Sequence, residues 1–142
     1  MEVSYDYYKN EYGGSIVDSA SFPSYEREAV MIMENYCLKP KSRYEKAIQQ
    51  GFEKNIKFAV CKLVDNIKDK QDLLSISDNV KLAQALGIAS ESTKDHSISY
   101  SNKDLVLEIE KNFAAKNFSI INRYLLFTGF WYRGFYYVAA YD

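Results

Sequence analysis

Nine apolar residues recur at helical spacing between positions 44 and 69: Tyr44, Ile48, Phe52, Ile56, Ala59, Val60, Leu63, Val64 and Ile67. An α-helix turns once every 3.6 residues, so side chains three and four apart share one side, and this run is the pattern of a long helix with a buried face. Such a face has to be covered by other elements, which sets the fold class as packed helices. Glu45, Lys46, Glu53, Lys54, Lys57, Lys62 and Asp65 form the polar side, and Cys61 sits near the edge of the stripe. Gly51 is the weak point, because glycine is about 1 kcal/mol less favourable than alanine inside a helix, and it marks either a soft spot or the true start.

The flanking sequence supplies the covering elements. Residues 1–20 read as an irregular arm, with a turn at Tyr12-Gly13-Gly14. A helix is expected from Phe22 to Cys37, with Pro23 in its first turn and Glu26 and Glu28 near its positive end. Its stripe is Phe22, Tyr25, Ala29, Ile32, Met33 and Tyr36, and Lys39-Pro40-Lys41 ends it. Residues 70–79 are polar and fit no element clearly. A short helix from Asp78 to Leu86 follows, with Ser77 as N-cap and Gly87 as C-cap. Alternation in residues 87–101 predicts a small β-hairpin turning near Thr93 to Asp95, with Ile98 and Tyr100 on one face. Ser101 caps a helix carrying Leu105, Ile109 and Phe113, and a separate short helix runs from Asn117 to Phe127 until Gly129. The expected architecture is mainly α: a single-domain helical bundle over 21–127 with one hairpin at 87–101, an arm at 1–20 and an aromatic C-terminal segment at 128–142.

Chemistry is hard to find in these residues. His96 is the single histidine and lies in the expected hairpin turn, and the two cysteines, Cys37 and Cys61, fall in apolar helical patterns, for which reduced, buried thiols are the simple reading and a disulfide between them the alternative. Acidic residues are scattered along helix faces, and no phosphate-binding glycine loop, metalloprotease or nucleophile-elbow motif occurs. No catalytic residue, cofactor or metal is therefore expected. Formal net charge is −1, which opposes a dedicated nucleic-acid binder. Acids interleave with Lys39, Lys41, Lys46, Lys54, Lys57, Lys62, Lys68 and Lys70, so a solvated helix surface is the simpler reading of these lysines. The first residues lack a signal-peptide pattern, and no apolar run approaches the about 20 residues that span a bilayer. The expected compartment is the cytoplasm of the cell that makes the protein.

The C-terminal stretch Tyr124 to Tyr141 is dense in aromatic rings. Phe130, Trp131, Tyr132, Arg133, Gly134, Phe135, Tyr136 and Tyr137 either meet a partner chain or fold back on their own domain, since rings with polar handles serve both purposes. Arg123 and Arg133 stack on rings or pair across an interface on the first reading, and cover their own domain on the second.

Four segments taken in order carry a resemblance. YGGSIVDSASFPSYEREAVMIMENYC, IKFAVCKLVDNI, GIASESTKDHSISYS and RYLLFTGFWYRGF resemble the head–tail connector, or adaptor, proteins of tailed bacteriophages and prophages. The likeness lies in a tyrosine-containing arm, a Gly-Gly turn, a helix entered at Phe-Pro, a cysteine followed by Leu-x-Asp, a Ser-Glu-Ser…Ser-x-Ser-Tyr segment and a closing Thr-Gly-x-x-Tyr-Arg-Gly. The family's common glycine after Ser-Glu-Ser is replaced here by Thr93-Lys94-Asp95, and the tail beyond Gly134 is more aromatic than the family pattern. The resemblance implies a structural protein of the virion neck, assembled in the bacterial cytoplasm as a ring under the portal protein with its twelve-fold symmetry. Its partners would be neighbouring copies, the portal and a downstream neck or tail protein, with DNA passing by through non-specific contact only and no membrane involved. It also implies that Ser90, Glu91, Ser92, Ser97, Ser99 and Tyr100 belong to a projecting hairpin, and that residues 130–137 form the subunit and portal interface. Another neck or tail-completion protein, or a helical nucleic-acid-binding regulator, are the alternative readings.

Overall fold

α3, Glu53–Leu74, is the helix around which the chain is built. A computed structural model of the chain describes residues 2–36, 40–87 and 101–126, with side chains throughout except those of 40–44. Before α3 come α1, Phe22–Asn35, and α2, Pro40–Gln49, and after it come α4, Asn79–Ala85, and α5, Asn102–Leu125. A π-helical turn at Tyr7–Glu11 lies within the arm.

The stripe that predicted one helix is split in two by Gly51. Gly51 adopts φ +87°, its N–H bonds the Ile48 carbonyl at 3.0 Å, and the Phe52 N–H bonds the Ala47 carbonyl at 2.9 Å. This pair of bonds is a Schellman termination, which needs a left-handed residue and so favours glycine. α1 ends ahead of Pro40, as expected, and Pro40 then opens α2, where its missing N–H is harmless. α3 also runs on through 70–74, the stretch left without assignment.

α3 buries Ile56, Ala59, Val60, Cys61, Leu63, Val64, Asn66 and Ile67, which is more than one face, because it is covered from several sides. α1 contributes Phe22, Ala29 and Met33 to the same core, α5 contributes Ile120, Ile121 and Leu125, and the arm contributes Val3, Tyr8 and Val17. Each large apolar side chain so buried stabilises the fold by about 1.5–3 kcal/mol. α4 packs on the first half of α5 through a smaller core of Leu82, Ala83, Leu105 and Ile109.

α5 is one helix, not the two short ones expected. Ala114, Ala115 and Lys116 are strong helix formers, so nothing interrupts the turn at Asn117. Asn117 is buried in mid-helix, where its Oδ1 accepts from the Asn66 amide at 2.7 Å. That amide also donates to the Phe113 carbonyl at 3.3 Å. Asn55 donates to the Tyr124 carbonyl, and Lys70 pairs with Glu110 at 3.1 Å, so α3 and α5 run antiparallel. A buried amide pair fixes their register, since a slip of one residue would strand both groups. Asn117→Ala is expected to lower stability by about 1–3 kcal/mol, whereas Asn66→Leu with Asn117→Leu loses less than the sum of the two single changes. Urea midpoints at constant slope read this difference.

Caps follow the sequence with one shift. Ser101 Oγ accepts from the Asp104 N–H at 3.1 Å, as expected. The N-cap of α4 is Asp78, not Ser77: its carboxylate accepts from the Val80 N–H at 2.9 Å.

The β-hairpin is a correction. No strand occurs among the described residues, and both ends of the 87–101 stretch belong to helices, with Gly87 just past the C-cap of α4 and Ser101 at the N-cap of α5. Serine alternation is a weak strand signal, because serine suits helix caps and turns at least as well. The rest of that stretch, 88–100, lies outside the described residues.

Candidate functional site

The arm is built into the core rather than trailing from it, and this is the most specific arrangement in the molecule. The π-helical turn places Tyr8 inward, where its ring is fully buried against Tyr12 at 5.6 Å and Phe22 at 5.2 Å between centroids. The Tyr8 hydroxyl donates to Asp65 Oδ1 at 2.6 Å, and the Tyr12 hydroxyl donates to Asp65 Oδ2 at 2.9 Å. One carboxylate of α3 therefore holds two phenols of the arm. Burial raises the pKa of both phenols well above the ordinary tyrosine range, and the hydrogen bond and negative charge of Asp65 add to it. Both remain neutral donors at any physiological pH.

Two further contacts fasten the arm. The Gly14 N–H bonds the Tyr8 carbonyl at 2.8 Å, and a Cβ at Gly14 would overlap the Tyr8 ring. Glu26, buried on α1, accepts from the Val3 N–H at 3.2 Å. Expected as a charge near the helix start, Glu26 instead turns inward to anchor the chain. Beneath the arm lies Cys61, whose thiol is pushed up to about 12, chiefly by burial and then by the charges of Asp65 and Glu26. It is a packed, protonated thiol with no nucleophilic character.

The outer side of this assembly is basic and aromatic. Phe58 stands edge-on between Tyr7, at 6.2 Å and 77°, and Tyr12, at 5.4 Å and 88°. Lys54 lies 5.3 Å from the Phe58 ring centre, Lys57 lies 5.0 Å from that of Tyr7, and Lys62 lies 5.8 Å from that of Tyr12. Lys57 also pairs with Glu53 at 3.1 Å. A cleft of about 280 Å³ opens between arm and helices beside Tyr5, Asp18, Tyr25 and Lys68. Its Lys68 is committed to Asp72 at 2.8 Å, and its Asp18 accepts from the Ser21 N–H at 2.8 Å at the entry to α1.

The residues assigned to the subunit and portal interface, Phe130, Trp131, Tyr132, Arg133, Gly134, Phe135, Tyr136 and Tyr137, lie outside the described residues, and likewise those assigned to the hairpin, Ser90, Glu91, Ser92, Ser97, Ser99 and Tyr100. Cys37 and His96 lie outside them too, while Arg123 is exposed near the end of α5. Sequence reasoning gave Tyr12 and Gly14 only a turn and Asp65 only a place on a polar helix side, and it assigned Tyr8 no role of its own. A signal existed in Tyr5, Tyr8 and Tyr12, spaced three and four apart, and in a carboxylate placed directly after the buried run Leu63-Val64.

Among the described residues, no group of three or more histidine, cysteine, aspartate or glutamate side chains is arranged to hold a metal ion. No helix among them is long and apolar enough to cross a membrane. No protein-family model, curated protein or solved structure matches the chain.

Proposed function

We propose that this chain is a subunit of the head–tail connector of a tailed bacteriophage or prophage, a structural protein that forms a ring under the portal and continues the DNA channel toward the neck or tail. The observation that carries the reading is that segments bearing the resemblance, far apart in sequence, meet in space. The tyrosine arm and its Gly-Gly turn, the Phe22-Pro23 helix start and the Leu63-x-Asp65 step of α3 form one clasp around Tyr8. Motifs that serve each other physically are better support for a shared family than the same motifs read separately.

The shape of α5 suits the role. Its 24 residues span about 36 Å, with the segment at 88–100 preceding one end and the aromatic segment following the other. A ring subunit in a neck needs contacts at two levels, one toward the portal and one toward the next component. A closed ring also needs two different lateral faces per copy. Work of this kind is done by buried surface, without turnover or cofactor, and DNA is touched only through sequence-independent electrostatics.

The test is to mix the purified chain with the portal ring of its own phage and measure the mass of the product. A gain equal to a full ring of copies is expected. A truncation ending at Thr128 is expected to keep its helical signal and lose that gain. A chain that leaves the portal mass unchanged refutes the connector reading, and a truncate that unfolds places the aromatic segment in the core instead of the interface.

A further inference from the structure

Resting on the ring reading, we propose that the lateral contact between copies joins the basic aromatic stripe Lys54–Phe58–Lys62 on α3 of one copy to the acidic face Glu28–Met31–Glu34 on α1 of the next. Positions 54, 58 and 62 are spaced four apart, so they form one line along α3, about 12 Å long. Lys54 and Lys62 are exposed and have no carboxylate in ion-pair range among the described residues. Between them sits the half-buried Phe58 ring, held edge-on by Tyr7 and Tyr12. The stripe is thus a half-buried aromatic ring flanked by two cations that rest on rings, Lys54 on Phe58 and Lys62 on Tyr12, and that have no carboxylate partner among the described residues.

α1 carries the matching pattern. Met31 is 62% exposed on the side of α1 opposite Ala29, which is buried, and is among the most exposed large apolar side chains described. Glu28 and Glu34 lie one turn to either side of it, and neither makes an ion pair among the described residues. A methionine thioether is well suited to an aromatic ring, and its flexible stem tolerates imperfect fit. Each face also carries one charge of the other sign, Arg27 on the α1 face and Glu53, paired with Lys57, beside the α3 stripe.

α1 and α3 pack on each other through their buried sides, and among the described residues Met31, Lys54 and Lys62 stay exposed. The same face cannot satisfy itself, since like charges would meet. The contact is therefore head-to-tail, the type that closes into a ring. A second copy of this chain fits better than an unrelated partner because both halves of the pattern are present on it.

The test uses full-length chains and the portal ring, with bound copies counted by native mass. Lys54→Glu with Lys62→Glu makes both faces acidic, and Glu28→Lys with Glu34→Lys makes both basic. Each double variant is expected to retain wild-type helical content and to fill the portal at least about tenfold less efficiently, because like charges then meet at every contact. An equimolar mixture of the two is expected to fill it again, with the basic and acidic copies alternating. A merely structural role for these side chains predicts no rescue on mixing. Wild-type filling by either variant alone, or failure of the mixture, overturns this interface while the connector reading stands. A wild-type chain that never rings the portal overturns both.

Discussion

Asp65→Ala is expected to release the arm and to lower stability by about 2–4 kcal/mol. Two hydrogen bonds end on this carboxylate. Bonds to charged groups contribute about 1.5–3 kcal/mol each, and a buried hydroxyl left without an acceptor adds its own desolvation penalty. Tyr8 is fully buried and has no access to water, so it bears the full loss, while the half-buried Tyr12 recovers part of its share from solvent. Asp65→Asn keeps one strong acceptor and is expected to fall between wild type and Asp65→Ala. A double-mutant cycle with Tyr8→Phe isolates the pair, with a coupling of at least about 1 kcal/mol expected from urea midpoints. Additive effects would mean that the carboxylate does not hold the arm.

The same cluster sets an alkaline limit. Tyr8, Tyr12 and Cys61 all have folded-state pKa values raised above their unfolded ones, so the folded state retains protons that the unfolded state releases. Stability from these groups is complete below the unfolded values, about 8.5 for cysteine and about 10 for tyrosine, and falls as pH rises above them toward the folded values. Unfolding free energy is therefore expected to decline from about pH 9 upward, and Tyr8→Phe with Tyr12→Phe is expected to flatten that decline.

What could be read from the sequence was the apolar pattern, because burial writes itself into spacing. α1 and α4 lie close to where their stripes put them, the long stripe is divided between α2 and α3, and the Ser101 cap is where Asp104 promised it. Polar signals were less legible. Serine alternation over 87–101 looked like strand pleating, yet its two ends serve as helix termini. Asn117 looked like a helix start, but it faces Asn66 across a helix pair, a contact between residues 51 positions apart. The arm, read only as irregular, shows the same limit. Its tyrosines look solvent-friendly until a carboxylate on a distant helix supplies their acceptor, 57 residues away for Tyr8. A local reading sees a polar atom but not its partner, so polar residues that a fold buries in pairs look like surface.

Neighbouring glycines offer the sharpest measure of how tightly the arm is seated. Gly13 has φ +82° with open space where a Cβ would go, so Gly13→Ala incurs only backbone strain, about 1–2 kcal/mol. Gly14 is not left-handed, and its obstacle is the Tyr8 ring, which a Cβ would overlap. That ring has nowhere to retreat: Asp65 holds its hydroxyl, while Tyr12 and Phe22 flank its faces and edges. Gly14→Ala is therefore expected to lower stability by about 3 kcal/mol, as overpacking in a fixed site does, and to expose the arm to protease. Shrinking the obstacle should relieve the clash, so Tyr8→Leu with Gly14→Ala is expected to lose less than the sum of its parts. Urea unfolding of the two single alanine variants decides the matter. If Gly14→Ala proves no worse than Gly13→Ala, the arm has slack at Tyr8, and the clasp is not the rigid unit on which the joining of arm, α1 and α3 depends.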